Sequence, residues 1–198
     1  MCAPLMPGVR RLRVHAGTRE RISDMAHGEI SESLPAPSAV VFDLLHDYRR
    51  RLEWDTLLRA AYLEGGHAAA GEGVTSVCVG RRSLGGVALR TVYVTFRRPR
   101  LAAVKMVNAP PLFGAWAASI RHEDLSAHES RITYKFHFTA KPRLLRFILE
   151  PLMKAVFVWE TRKRLRALRA YLARTYEAQS EGNGGLCRPV NNLNGGAA

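Results

Sequence analysis

The side chains of this chain that can carry charge or move a proton are scattered, and a few fall where apolar periodicity would bury them. Glu160 comes four residues after Val156 and seven after Met153, which puts it on the apolar side of a helix. A carboxylate there is costly unless it is paired or protonated. It reads either as an acid or base in a dry site or as a helix-edge residue paired with Arg164 at i,i+4. Tyr134, Tyr93 and Arg90 lie inside strand-like runs. A Tyr, Arg or Glu in a water-poor cavity can move a proton next to a carbonyl and stabilise the enolate that results. For Arg90 the competing reading is a place on the wet, convex face of a sheet. Asp47 and Asp55 read as helix caps, and His122 and His128 flank a turn and read as surface residues. The chain has no Walker-type loop, no CxxC and no HExxH. No Ser–His–Asp grouping can be read from it. No metal site and no cofactor is expected.

The three cysteines, Cys2, Cys78 and Cys187, are odd in number and far apart, so they form neither a disulfide framework nor a zinc pattern. Cys78 lies in a strand-like run and reads as a small core residue. At 198 residues the chain suits one domain, and at 47% hydrophobic it can bury a core. No apolar run reaches the roughly 18 residues of a membrane span. Arg10, Arg11 and Arg13 interrupt any secretory signal, so a cytoplasmic location is expected. The net charge is +13, spread over basic stretches along the whole chain. Such a field favours anionic partners, an anionic membrane surface among them, or else reflects solvated basic faces. The basic stretches lack interleaved aromatics for base stacking, so nucleic acid is not expected.

Residues 1–25 show no periodicity and read as a disordered basic arm, with Met25 as an alternative start. His27 to Leu34 alternates as a first strand. Pro35-Ala36-Pro37 stops it, Ser38 is placed to cap a helix, and Ala39 to His46 follows as that helix. Asp47 is placed to cap a second short helix holding Leu52, Trp54 and Leu57. Six strands punctuated by turns follow: 59–64, 74–79, 87–97, 101–108, 113–123 and 130–140. In the last, Ile132, Tyr134, Phe136 and Phe138 share one face. Trp116, Ala118 and Ile120 share a face in the one before it, as do Ala102, Val104 and Met106 in the next. The strand from Val87 to Arg97 is apolar on both faces, and its inward side cannot be assigned. Residues 143–178 form a helix of about 50 Å, with Leu145, Leu149, Met153, Val156, Leu165, Leu168 and Leu172 on one broad side. Pro151 should kink or begin it. The domain is read as 26–178, and the Gly- and Asn-rich tail 179–198 as disordered.

The order of strand, two short helices, six strands and a long helix resembles the SRPBCC superfamily. That group includes START lipid-transfer domains, birch-pollen-allergen relatives and polyketide cyclase/dehydrase-like proteins. The residues that carry the likeness are Ile30 to Leu34, Pro35 to Pro37, Val40 to Leu45, Asp47, Trp54-Asp55 with Leu57, Gly71 and Gly73, and the helix from Leu145 to Leu172. The resemblance implies an α+β helix-grip fold, a curved antiparallel sheet of about seven strands around the last helix. It also implies an apolar cavity between them, lined by Tyr93, Met106, Trp116, Tyr134, Phe136, Met153 and Phe157. The alternative is that these side chains fill a dry core. Three functions are compatible. The first is binding or transport of a hydrophobic small molecule (lipid, isoprenoid or polyketide-like). The second is a polyketide cyclase/dehydratase-type enzyme, with Glu160, Tyr134 or Arg90 as its catalytic group. The third is a basic-surface interaction module. A cavity free of titratable groups would speak for a carrier. Glu160 or Arg90 facing it beside a tyrosine would speak for chemistry, and a filled core with a continuous basic face for the interaction module.

Overall fold

The computed structural model of the protein describes residues 25–183. The expected N-terminal arm lies almost wholly outside the described residues, as does 184–198 of the expected tail. The chain runs β1 (Ala26–Leu34), α1 (Ser38–His46), α2 (Arg51–Trp54), β2 (Leu58–Leu63), β3 (Thr75–Gly80), β4 (Ala88–Arg97), β5 (Leu101–Met106), β6 (Phe113–Asp124), β7 (Ser130–Ala140) and α3 (Arg146–Asn183). The strands make one sheet in the order β1-β7-β6-β5-β4-β3-β2, every pair antiparallel. It curls into a half-barrel around α3, so the fold is the α+β helix-grip expected.

Alternation builds the core. Ile132, Tyr134, Phe136 and Phe138 are all buried, and burying each large side chain is worth about 1.5–3 kcal/mol. Three register shifts re-aim side chains: between Leu58 and Ala60, between Tyr93 and Thr95, and between Phe113 and Ala115. An extra residue flips the inward–outward parity of the rest of the strand. This settles the inward side of β4. Thr91 and Tyr93 are buried on one side of its shift, and past it Phe96 turns inward to meet the Tyr93 ring edge-on at 5.3 Å.

Pro37, not Ser38, occupies the N-cap of α1. Ser38 is the first helical residue, and a carboxylate from the sheet does the capping. The Ser38 N–H donates to Asp124 Oδ1 at 2.7 Å and its hydroxyl to Oδ2 at 2.9 Å. His122 also departs from expectation. It is the last buried position of β6 and lies beneath Phe42 of α1, ring centroids 5.3 Å apart. Helix α3 starts at Arg146, so Pro151 does not begin it. Its apolar side is not continuous either. Leu165, Leu168 and Leu172 are buried, whereas Leu145 and Val156 are exposed. The C-terminal half grips the sheet chiefly through β1, and the N-terminal half meets it through Phe157, which packs on Phe113, Phe136 and Phe138. No helix among the described residues is long and apolar enough to cross a membrane.

Candidate ligand cavity and its polar wall

The space left between the half-barrel and the N-terminal half of α3 is a cavity of about 390 Å³. The sheet supplies Tyr93, Val104, Trp116, Ile120 and Tyr134 to its wall, and α3 supplies Met153, Phe157, Glu160, Thr161 and Arg164. The α1–α2 region closes one end with His46, Tyr48, Arg51 and Trp54. Where Leu112, Leu152 and Val156 are at once on the wall and exposed, the cavity opens to the outside.

The closed end is polar. The Asp55 side chain is fully buried and holds two guanidinium groups through one oxygen. Arg51 Nε donates to Oδ2 at 2.9 Å and Arg164 Nη2 to the same atom at 2.8 Å, while Leu57 N–H donates to Oδ1 at 3.2 Å. Burial alone would raise this carboxyl, but Arg164 and Arg51 more than offset it and hold it below the usual carboxylate range. Arg51 also donates to the Leu45 carbonyl and lies over the Trp54 ring, 4.7 Å from its centroid. Asp55 is therefore an ion-pair anchor more than the cap the sequence suggested. Two cations against one carboxylate leave one positive charge beside the cavity.

Around this cluster stand groups with hydrogen-bonding capacity to spare. Tyr134, pushed up to about 12 chiefly by burial, keeps its proton at any working pH, and its hydroxyl has no partner among the described residues. Glu160 is 93% buried, by its relative exposure of 7%, and makes no ion pair or hydrogen bond among the described residues. The expected pairing with Arg164 is absent because Arg164 turns to Asp55. The indole N–H groups of Trp54 and Trp116 are buried without an acceptor among the described residues. His46 donates Nδ1–H to the Phe42 carbonyl at 2.7 Å, and burial brings its pKa down to about 3, so the ring is neutral with its lone pair on Nε2. Tyr48 and Tyr93 join their hydroxyls at 3.0 Å, and burial raises both. Cys78, expected in the core, is on this wall, its thiol pushed up by burial.

Of the residues implied as lining, Tyr93, Trp116, Tyr134, Met153 and Phe157 stand on the wall. Phe136 does not. It is fully buried, stacked with Phe138 at 6.2 Å and tilted against Phe157 at 5.5 Å. Met106, at the end of β5, packs on the rim of the core. Arg90 is on the outer surface, in a bidentate pair with Glu64 at 2.8 and 2.7 Å, so it plays no part in the cavity. Arg51, His46 and Tyr48 carry no assignment from the sequence, while Asp55 reads there as a cap and Arg164 as a partner for Glu160. The one signal was the i,i+4 spacing of Arg51 and Asp55 beside Trp54.

A half-barrel closed on a long helix, with an apolar cavity between them, defines a START-like helix-grip protein of the SRPBCC superfamily. Within it, the chain belongs to the family described as polyketide cyclase / dehydrase and lipid transport, whose model matches residues 25–173. No curated protein matches it in sequence. Among solved structures it is similar to the Zhui aromatase/cyclase from Streptomyces sp. R1128, at 15% identity and TM-score 0.66, over 76% of this chain and 94% of that one. The START superfamily protein from Mycobacterium smegmatis is similar at 9% identity and TM-score 0.62, over 75% and 98%. The di-domain ARO/CYC StfQ of the steffimycin biosynthetic pathway is similar at 13% identity and TM-score 0.65, over 82% of this chain and 55% of that one. At such identities the likeness concerns the fold.

Proposed function

We propose that the protein binds an apolar small molecule bearing an oxygen function at one end, a lipid, isoprenoid or polyketide-like compound, within the cavity. The observation that carries this reading is the asymmetry of the wall. Aromatic and aliphatic side chains surround most of a volume suited to a small ligand. The closed end offers Arg51, Arg164 and the unpartnered Tyr134 hydroxyl to a carbonyl, carboxylate or hydroxyl oxygen. An unfilled interior is not the condition under which a basic-surface interaction module was expected. A ligand of this class partitions into bilayers, so exchange with an anionic membrane belongs to the reading, as does a cytoplasmic location. The test is titration with a medium-chain fatty acid, a short-chain isoprenoid quinone and an anthraquinone, monitored by Trp fluorescence. At least one binds, Met153→Trp weakens it about tenfold by filling the cavity, and Met106→Leu, off the wall, leaves it unchanged. Equal binding by the Met153 variant would place the ligand elsewhere.

A second reading, an enzyme of the polyketide cyclase/dehydratase type, draws on Glu160 and Tyr134, which share the cavity wall as expected for chemistry rather than for a carrier free of titratable groups. An unpartnered carboxylate and an unpartnered phenol on one wall can act on an enolisable ketone. Glu160 takes the proton from the carbon next to the carbonyl, the C–H electron pair forms the enolate C=C as the carbonyl π pair moves to the oxygen, and Tyr134 or Arg164 stabilises the enolate. Proton NMR in D2O checks this step with a bound methyl ketone. Chemistry gives α-proton exchange above the buffer rate that Glu160→Gln abolishes while binding persists. Exchange no faster than buffer leaves a carrier.

A further inference from the structure

The N-terminal half of α3 and the 3-10 turn Arg143–Leu145 before it expose apolar side chains to solvent. Leu144, Phe147 and Trp159 are 86%, 76% and 61% exposed. Ile148, Leu152, Ala155 and Trp159 recur at i, i+4, i+7 and i+11, which makes one stripe along the helix. The opposite side of the same turns sends Met153, Phe157 and Glu160 to the cavity wall. A contiguous exposed patch of this kind marks a site of interaction. Its flanks are cationic, since Lys141, Arg143, Lys154, Arg162 and Lys163 are all exposed. The Lys163 ammonium stands 5.2 Å from the centroid of the Trp159 ring. The two acids of the segment add little to its surface. Glu150 is paired with Arg146 at 2.7 Å, and Glu160 is buried in the cavity wall. The stripe also meets the cavity mouth, because Leu152 belongs to both and the exposed Val156 beside it lines the mouth too. Leu112, half-exposed on the same rim, has φ 68°, a left-handed conformation that costs a leucine roughly 1–2 kcal/mol.

We propose that this face docks on an anionic phospholipid bilayer. Leu144, Phe147, Ile148 and Trp159 enter the headgroup region, the flanking lysines and arginines lie over the phosphates, and the cavity mouth is set against lipid. Charge selects this occupant over a second copy of the chain, which would bring the same cations against these. Only the passage of ligand through the mouth rests on the ligand-binding reading. Docking stands on the exposed face.

The experiment is co-sedimentation of the full chain with vesicles of phosphatidylglycerol and phosphatidylcholine, with Trp emission recorded. The expected result is binding that requires the anionic lipid, weakens with salt and shifts emission to the blue. Trp159→Phe keeps the binding and loses the shift, because Trp54 and Trp116 are already buried. Phe147→Glu and Ile148→Glu each weaken binding about tenfold and leave the thermal transition unchanged, since both side chains are exposed. Absence of binding overturns the proposal. So does binding that survives Phe147→Glu without a Trp159 shift, which would put lipid on another basic face. A concentration-dependent dimer abolished by Phe147→Glu would overturn it in favour of a second copy. Vesicle binding by a protein that takes up no cavity ligand would leave docking intact and sink the ligand reading.

Discussion

Asp55 binds two buried or nearly buried guanidiniums, so its loss leaves both without their counter-charge. Asp55→Ala leaves Arg51 and Arg164 facing each other without a counter-charge and should cost about 3–5 kcal/mol of stability, measured by urea denaturation. A loss within about 0.5 kcal/mol, the scale of an ordinary surface substitution, would mean the arginines are not held as described. The buried imidazoles set a pH dependence of known sign. His46 is brought down to about 3 and His122 to about 4, both mainly by burial, from an ordinary value of 6.5. Between pH 6.5 and 4 the unfolded chain therefore binds protons that the folded chain refuses, and stability falls as pH falls through that window. The expected loss between about pH 7 and 5 is on the order of 2 kcal/mol per imidazole, and His122→Leu should remove about half of the slope. The Asp55 contribution, from a depressed carboxyl, is kept until pH drops below the ordinary carboxylate value and is lost only then. These residues were poorly legible in the sequence. Arg51 is one of three consecutive arginines, and nothing local says which turns inward. His122 lies near a turn, which suggests the surface, but its parity with Trp116 and Ile120 places it on the inner face.

Strand elements could be read from alternation, and β7 comes out with the bounds assigned from sequence, Ser130–Ala140. The faces of β4 could not. A register shift between Tyr93 and Thr95 puts both Tyr93 and Phe96 inward, and period-2 reading cannot represent an extra residue. Helix α3 misled in another way. Apolar spacing suggests one side along its whole length, whereas the structure uses the inner stripe for grip in one half and leaves a second, outer stripe bare in the other. Close approach of elements gives a further expectation. Gly28 of β1 faces Phe136 of β7, and a Cβ there would stand 2.4 Å from the ring's Cζ. The ring is fully buried and packed against Phe138 and Phe157, so it cannot retreat. Gly28→Ala should cost about 1–3 kcal/mol, read by thermal or urea unfolding. A neutral substitution would show that the β1–β7 pair has slack.

At the scale of the whole molecule, element order carried the fold and the family, because the sequence of strand, paired short helices, meander and long helix leaves few other ways to cover an apolar sheet. Whether the interior was filled or hollow was not legible. Phe136 and Tyr134 alternate on one strand face, yet one is packed solid and the other lines a void, and that difference arises only when α3 is laid across the sheet. The net charge of +13 was visible at once. That five of its cations flank a bare apolar stripe at the cavity mouth needed the structure. Occupancy of the cavity by an apolar molecule with an oxygen-bearing end is tested most directly by native mass spectrometry of the freshly purified protein, followed by denaturing extraction and mass analysis of whatever is released. A stoichiometric lipid, isoprenoid or polyketide-sized species is the expected result. A clean apo mass, with no thermal shift from a panel of such compounds, would contradict it.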